Sequence, residues 1–334
     1  MHCPGFLEIE ASASIAGAAK CWLERLGKSL PGLEGYHEPC NDHGPDRHHR
    51  MTQRNAVKVS STAHYTGQTW VRHGLSHPAF STTEGATLHA LASPLYMLAR
   101  LTGGPTLEGL LLARHRAIDT LLHRAIEMGE VSQVIEVAAG LSPRGWRFKQ
   151  AHGSALRYVE ADLPDMALLK QDLLLRAGLS SPGHEVVPLD ALAEEGPLSI
   201  EALASTLDAQ RGVAIITEGL LMYLDKEDVL GMWARFAKVL QRFPHGLYLS
   251  DLHATSLDRG LLMTALKPML SAFVGSRVQW HFDQPEQATE ALLRAGFSTA
   301  QALRPAAVLP IDQMPADAGA EVVRVIAART SSRG

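Results

Sequence analysis

Cysteine is scarce and poorly placed for crosslinking: the 334-residue chain has three, Cys3, Cys21 and Cys40, all in its first 40 positions. An odd, clustered set cannot staple the rest of the chain, which excludes a disulfide-built secreted domain. Long apolar runs are also absent. Hydrophobic residues make up 46% of the chain, but charge, Gly or Pro interrupts every run before the roughly 18 to 20 residues a membrane helix needs. The opening segment lacks a basic start, an apolar core and a small-residue cleavage site, so no membrane partner and a cytoplasmic location are expected. Neither sign of charge dominates: Lys+Arg number 31 against Asp+Glu 35, a formal net charge of -4. Such a balance creates no field that would gather nucleic acid. A small-molecule partner is the expectation that remains.

Residues 1–50 differ from the rest, with Gly/Pro interruptions and the polar run 36–50, and within them only Ile15–Leu30 has the pattern of a helix. His37, Cys40, Asp42, His43, His48 and His49 in that run match no zinc spacing, so no metal is expected. Residues 1–50 read as a loosely packed extension, or as sequence upstream of a true start at Met51. Residues 51–106 read as an N-terminal helical lid on the substrate side that leads into a helix near Leu107–Met128, and residues 107–330 as the core domain. There, strands near Gln133–Ala138, Leu156–Ala161, Glu185–Leu189, Val213–Thr217 and Gly246–Ser250 alternate with helices near Met166–Ala177, Ile200–Leu207 and Lys226–Phe243. This βαβαβ order predicts an α/β doubly wound, mostly parallel sheet. The end differs: a helix over Pro285–Ala295 stops at Gly296, and Phe297–Leu303 and Glu321–Ala328 form a terminal antiparallel hairpin, making seven strands.

The run Val134 to Gly145 is a buried strand that breaks into a small-residue turn and then a helix. Ligands of parallel sheets sit at the carboxyl ends of strands, where small residues let the backbone approach, and N–H groups at a helix start favour an anion. The methionine carboxylate of S-adenosylmethionine (SAM) is such an anion, and Glu136, Ala138 and Gly140 are the cofactor-facing residues of this run. The next strand ends at Asp162, placed to accept ribose hydroxyls, with Glu160 as the alternative. A third strand ends at Asp190 and Ala191, where Asp190 either meets an adenine amino group or caps a following helix. A fourth ends at Glu218, a carboxylate that needs a cation or donors to be buried. A dinucleotide dehydrogenase shares part of this pattern, but Gly-x-Gly-x-x-Gly is missing.

Taken in order, Arg114-His115-Arg116-Ala117-Ile118-Asp119, Gly140-Leu141-Ser142-Pro143-Arg144, Tyr158 to Pro164 and Thr217 to Leu224 resemble the leucine carboxyl methyltransferase superfamily, including its bacterial polyketide carboxyl methyltransferase branch. The resemblance runs over about Leu107–Ala328. It implies the class I SAM methyltransferase fold, SAM as cofactor and S-adenosylhomocysteine as product. It also implies Arg114 on the SAM carboxylate, Gly140 beside the methionine moiety, Asp162 on ribose, Asp190 and Ala191 at adenine and Glu218 near the amine. The family's Gly-Ala-Gly stands here as Ala138-Ala139-Gly140, a change that is harmless only if φ is negative at Ala138.

The acceptor is less legible. A carboxylate acceptor needs no general base, whereas a hydroxyl profits from one, and the candidates are His64, His73, Tyr223 and His253. Tyr65, Trp70 and Arg72 lie in a stretch, Thr62–Gly74, that lacks helical periodicity and reads as a lid over a conjugated anionic ligand; Asp251 joins them as a substrate-side group. Methyl transfer to a carboxylate or hydroxyl oxygen of a small molecule is the expectation. A protein C-terminal carboxyl methyltransferase and a non-catalytic SAM or nucleotide-binding protein are the alternatives.

Overall fold

The computed structural model describes residues 62–91, 105–257 and 279–331. The extension 1–50, its helix and its histidine-rich run lie outside the described residues, as do parts of the segment 51–106. Seven strands form one sheet: β1 (Gln133–Val137), β2 (Arg157–Asp162), β3 (His184–Pro188), β4 (Val213–Thr217), β5 (Gly246–Leu252), β6 (Thr299–Leu303) and β7 (Arg324–Arg329). Their order is β3-β2-β1-β4-β5-β7-β6. The first five pair in parallel, and β7 runs antiparallel between β5 and β6. This is the predicted doubly wound sheet with its antiparallel end. The two last strands are joined by 20 or so residues that include a short helix, so they are neighbours without a tight turn.

The central strands β1, β4 and β5 are buried along their whole length, as expected of β-branched runs covered on both faces. Side chains alternate between the faces. Val134 of β1 packs with Ile118, Leu122 and Phe148, whereas Ile135 and Val137 pack with Trp233 and Phe236. Helices α3 (Leu107–Glu127) and α4 (Arg144–His152) therefore cover one face. Helices α6 (Ile200–Ala204), α7 (Lys226–Leu240) and α8 (Pro285–Ala295) cover the other, and α5 (Pro164–Arg176) lies against the β2–β3 edge.

Helix ends follow local chemistry. The Thr106 hydroxyl accepts the Gly109 N–H at the start of α3 and donates to Asp317. Gln284 and Gln287 form a reciprocal capping box at α8, which stops where Gly296 turns left-handed at φ 111°. Residues 62–72 (α1) and 83–91 (α2) are helical, in line with the helical segment expected there, although the periodicity of Thr62–Gly74 does not show it. The first lacks a one-sided pattern because it is buried on two sides: Tyr65 and Trp70 enter a cluster with Leu107, Leu111 and Val323, while Ala63 and Val71 meet one built on Leu141 and Met166. One expectation needs correction: no helix follows Asp190, and the next one starts at Ile200, capped by Ser199.

Candidate active site

The strand order reverses between β1 and β4, which opens a crevice at their carboxyl ends, the usual ligand position in such sheets. On the β1 side the chain turns through Ala138 at φ 54° and Gly140 at φ 49°. The Gly140 N–H donates to Asp162 Oδ2 at 2.6 Å, and the Leu163 N–H to Asp162 Oδ1 at 2.7 Å. Burial pushes the Asp162 carboxyl up to about 6, against the lowering effect of those two N–H groups. Each carboxylate oxygen has a second lone pair, so a pair of hydroxyls donating to Asp162 would relieve that burial cost. Helix α1 lies over this turn. A Cβ built on Gly67 would come within 2.9 Å of Leu141 Cβ, and one on Gly140 within 3.1 Å of Ala63 Cβ.

On the β4 side Glu218 meets a cluster of cations. Its Oε1 accepts Arg114 Nε at 3.1 Å, and its Oε2 is shared by His115 Nδ1 at 2.9 Å and by Arg144. Burial opposes its charge, but His115, Arg144 and Arg114 outweigh that and hold Glu218 down at about 2. Arg114 also donates to Asp251 Oδ2 at 2.9 Å, and the Gly219 N–H to Asp251 Oδ1 at 2.7 Å. Arg144, fully buried, spans three carboxylates: Asp119 at 2.6 Å, Glu136 and Glu218. Arg147 adds a contact to Asp119 at 2.7 Å.

Several predicted site residues sit elsewhere than expected. Glu136 does not face the crevice: it is 1% exposed, bound by Arg144 and by the Tyr158 hydroxyl at 2.7 Å. Glu160, the alternative to Asp162, is enclosed with Lys170 at 2.9 Å and His184 at 3.2 Å. Asp190 closes a local turn by accepting the Leu192 N–H at 2.9 Å and caps no helix. Asp190 and Ala191 do stand just past the end of β3, as expected, with Ala191 held through its carbonyl by Arg235 at 3.2 Å. Tyr65 and Trp70, read as ligand-facing, are core residues at 1% and 2% exposure; Trp70 stacks on His115 with centroids 4.2 Å apart. Arg72 is exposed.

Of the base candidates, His64 is tied to the Thr82 hydroxyl at 2.9 Å, which staples α1 to α2. His73 lies 3.7 Å from Glu108 at the end of α1. Tyr223 lies in the turn Leu221–Tyr223 after β4, and burial raises its phenol, which keeps it a hydrogen-bond donor rather than a base at neutral pH. His253 alone of the four lines a recess at the ends of β4 and β5, together with Gly219, Met222, Asp251, His281 and Phe282.

Sequence reasoning missed Arg144 and His115 as the hub of the cluster, and His281 and Phe282 in the recess. A signal existed for His115: its i, i+4 spacing to Asp119 places both on one face of α3, 3.7 Å apart. None existed for His281 and Phe282, which reach the recess only through the tertiary path of the chain.

The family model for leucine carboxyl methyltransferases matches residues 79–236. A Mycolicibacterium smegmatis protein provisionally named as a SAM-dependent methyltransferase is 34% identical over 121 residues, 35% of this chain and 39% of its own length. A Mycobacterium leprae protein with the same provisional name is 30% identical over 153 residues, 46% and 47% of the two chains. The matches thus span less than half of these relatives. Among solved structures, a protein of Thermobifida fusca described provisionally as a methyltransferase superposes with a TM-score of 0.59 at 16% identity, covering 81% of this chain and 94% of that one. A DUF574 family protein of Streptomyces avermitilis gives 0.58 at 12%, covering 82% and 99%. Residues 79–236 are thus similar to the leucine carboxyl methyltransferase family, and the chain has the class I SAM methyltransferase fold.

Proposed function

We propose that the protein is a SAM-dependent methyltransferase acting on an oxygen, carboxylate or hydroxyl, of a small molecule. The observation that carries this is Asp162, a carboxylate pushed up by burial at the end of β2 and tied by the Gly140 and Leu163 N–H groups to the turn beside the β1/β4 crevice. The residues suit SAM: an acid for ribose hydroxyls, a small-residue turn that lets the backbone approach, and Glu218 with Arg114 for an amino-acid moiety. Arg114 spends two of its five N–H donors on Glu218 and Asp251, which leaves a fork for a carboxylate.

SAM supplies an activated methyl group, so the chain has to bind, orient and exclude water. Asp162 and Gly140 hold one end of the cofactor. The Arg114–Glu218–Asp251 cluster is pre-assembled and rigid, so it orients the other end without reorganising. Helix α1, seated on the turn through Gly67 and Ala63, shields it from water.

Isothermal calorimetry with S-adenosylhomocysteine and NAD tests the cofactor. S-Adenosylhomocysteine should bind and NAD should not, and Asp162→Ala should weaken the former at least tenfold. Preference for NAD, or affinity untouched by Asp162→Ala, would overturn the reading.

A further inference from the structure

His115 of α3 is fully buried, and its ring is fixed from three sides. The Trp70 indole of α1 stacks on its face, with centroids 4.2 Å apart and planes 26° apart. Nδ1 lies 2.9 Å from Glu218 Oε2, and Nε2 lies 3.2 Å from Arg147 Nη1. A carboxylate only accepts and a guanidinium only donates. The ring therefore carries its proton on Nδ1, aimed at Glu218, and offers the Nε2 lone pair to Arg147. Arg144 Nη2, also 2.9 Å from Nδ1, donates to Glu218 Oε2 instead. Asp119 Oδ2, at 3.7 Å from Nε2, is too far to accept a hydrogen bond from it.

Glu218 accepts three hydrogen bonds. His115 and Arg144 both fall on Oε2, and Arg114 Nε falls on Oε1 at 3.1 Å. A carboxylate has about four acceptor positions, so the one left over belongs to Oε1. Glu218 keeps 9% of its side chain exposed, against none for His115 and Arg144. The His115 bond thus helps decide which oxygen is left to meet an incoming ammonium group. Helix α1, which holds the His115 ring, also touches the β1 side of the crevice, where Ala63 lies against Gly140 and Gly67 against Leu141. One helix therefore seats on the turn that holds Asp162 and, through Trp70 and His115, on the carboxylate at the β4 end.

Resting on the methyltransferase reading above, we propose that His115 is a positioning residue that links the packing of α1 to the cofactor's amino-acid end through the chain Trp70–His115–Glu218. The stack sets the plane of the ring, the ring directs Nδ1–H at Oε2, and Oε1 is presented to the ammonium group of the cofactor. No proton is transferred and no covalent bond changes. Linkage makes the effect reciprocal. A ligand that engages Glu218 steadies α1 beyond what contacts at the glycine turn do, and a ligand that cannot reach Glu218 does not.

The test uses the full chain and two ligands that differ at one end: S-adenosylhomocysteine, and 5′-methylthioadenosine, which lacks the amino-acid moiety. His115→Phe keeps a stacking ring and loses the donor, whereas His115→Asn keeps an N–H near the place of Nδ1. Calorimetry should show S-adenosylhomocysteine binding at least tenfold weaker in His115→Phe, with 5′-methylthioadenosine within twofold of its affinity for the unmodified protein. His115→Asn should regain part of the loss. A merely structural role would weaken both ligands alike. In the unmodified protein, S-adenosylhomocysteine should slow amide hydrogen exchange across residues 62–72 more than 5′-methylthioadenosine does at equal saturation, a comparison that stands even if the variants fold poorly. Equal weakening of both ligands in a folded variant, unchanged S-adenosylhomocysteine affinity in His115→Phe, His115→Asn no better than His115→Phe, or equal protection of α1 by the two ligands would each overturn the assignment while leaving the methyltransferase reading in place. Failure of S-adenosylhomocysteine to bind the unmodified protein would overturn both.

Discussion

Ala138 adopts φ 54°, a left-handed conformation that costs an L-residue roughly 1 to 2 kcal/mol over glycine. The condition under which an alanine would be harmless here, a negative φ, is not met. The strain sits in the turn that carries the Gly140 N–H to Asp162, and strained backbone of this kind collects at ligand sites. Ala138→Gly should remove the strain but add freedom to the unfolded chain, for a net gain of roughly 0.5 to 1 kcal/mol. A raised urea midpoint with an unchanged slope would show it; a lowered midpoint would mean that the methyl group packs better than its partial burial against the core suggests.

Helix α1 illustrates what happens when an element is buried on more than one side. Aromatic, histidine and arginine residues in Thr62–Gly74 read as a ligand cluster because no single stripe of the helix is apolar. The chain resolves that mixture by direction: Tyr65 and Trp70 point into the core, Gly67 and Ala63 sit on the cofactor turn, and Arg72 is left outside. Trp70→Ala should cost about 3 to 5 kcal/mol, as a large buried aromatic does, and release His115 from its stacking partner. Arg72→Ala should stay within about 0.5 kcal/mol and leave S-adenosylhomocysteine affinity unchanged. Thermal unfolding and calorimetry on both variants check this; equal effects would mean that the helix faces the other way.

Across the whole molecule, the two halves of the sheet are joined by buried charge. Arg144 after β1 and Arg114 on α3 bind acids from α3, β1, the β4 end and β5. Arg144→Leu would leave Glu136 buried without its cation and strip one partner each from Asp119, which keeps Arg147, and Glu218, which keeps Arg114, a loss of about 3 to 5 kcal/mol. Arg144→Lys should fail nearly as badly, because a point charge cannot fork to three carboxylates. The folded pKa of Glu218 is depressed to about 2, and those of Asp119 and Asp251 lie well below the usual range. Their contribution is therefore fully present above the unfolded carboxylate value of about 4 and lost as pH falls toward 2. Asp162, raised to about 6, works the other way between pH 7 and 5, so urea midpoints should rise modestly from pH 7 to 5 and drop at pH 3. A wild-type-like midpoint for Arg144→Leu at pH 7 would refute the network's part in stability.

Much of the fold was legible because its determinants are local. β-Branched runs at β1, β4 and β5 need only burial, Pro285 and Gly296 bracket α8 by backbone geometry, and Asp162 follows its strand by a fixed spacing. The order of acids after successive strands likewise comes from the βαβ repeat. Tertiary structure decided everything that depends on direction and on distant partners. Glu136 and Glu160 turn toward buried cations rather than the crevice, since side chains on a strand alternate and only the fold says which face is open. Arg144 becomes a hub because α3, β1 and β4 converge on it, from positions 119, 136 and 218 that no local pattern connects. His253 gains its place in the recess, and His64 loses any, because loops far apart in the chain meet at the ends of β4 and β5 and not beside α1.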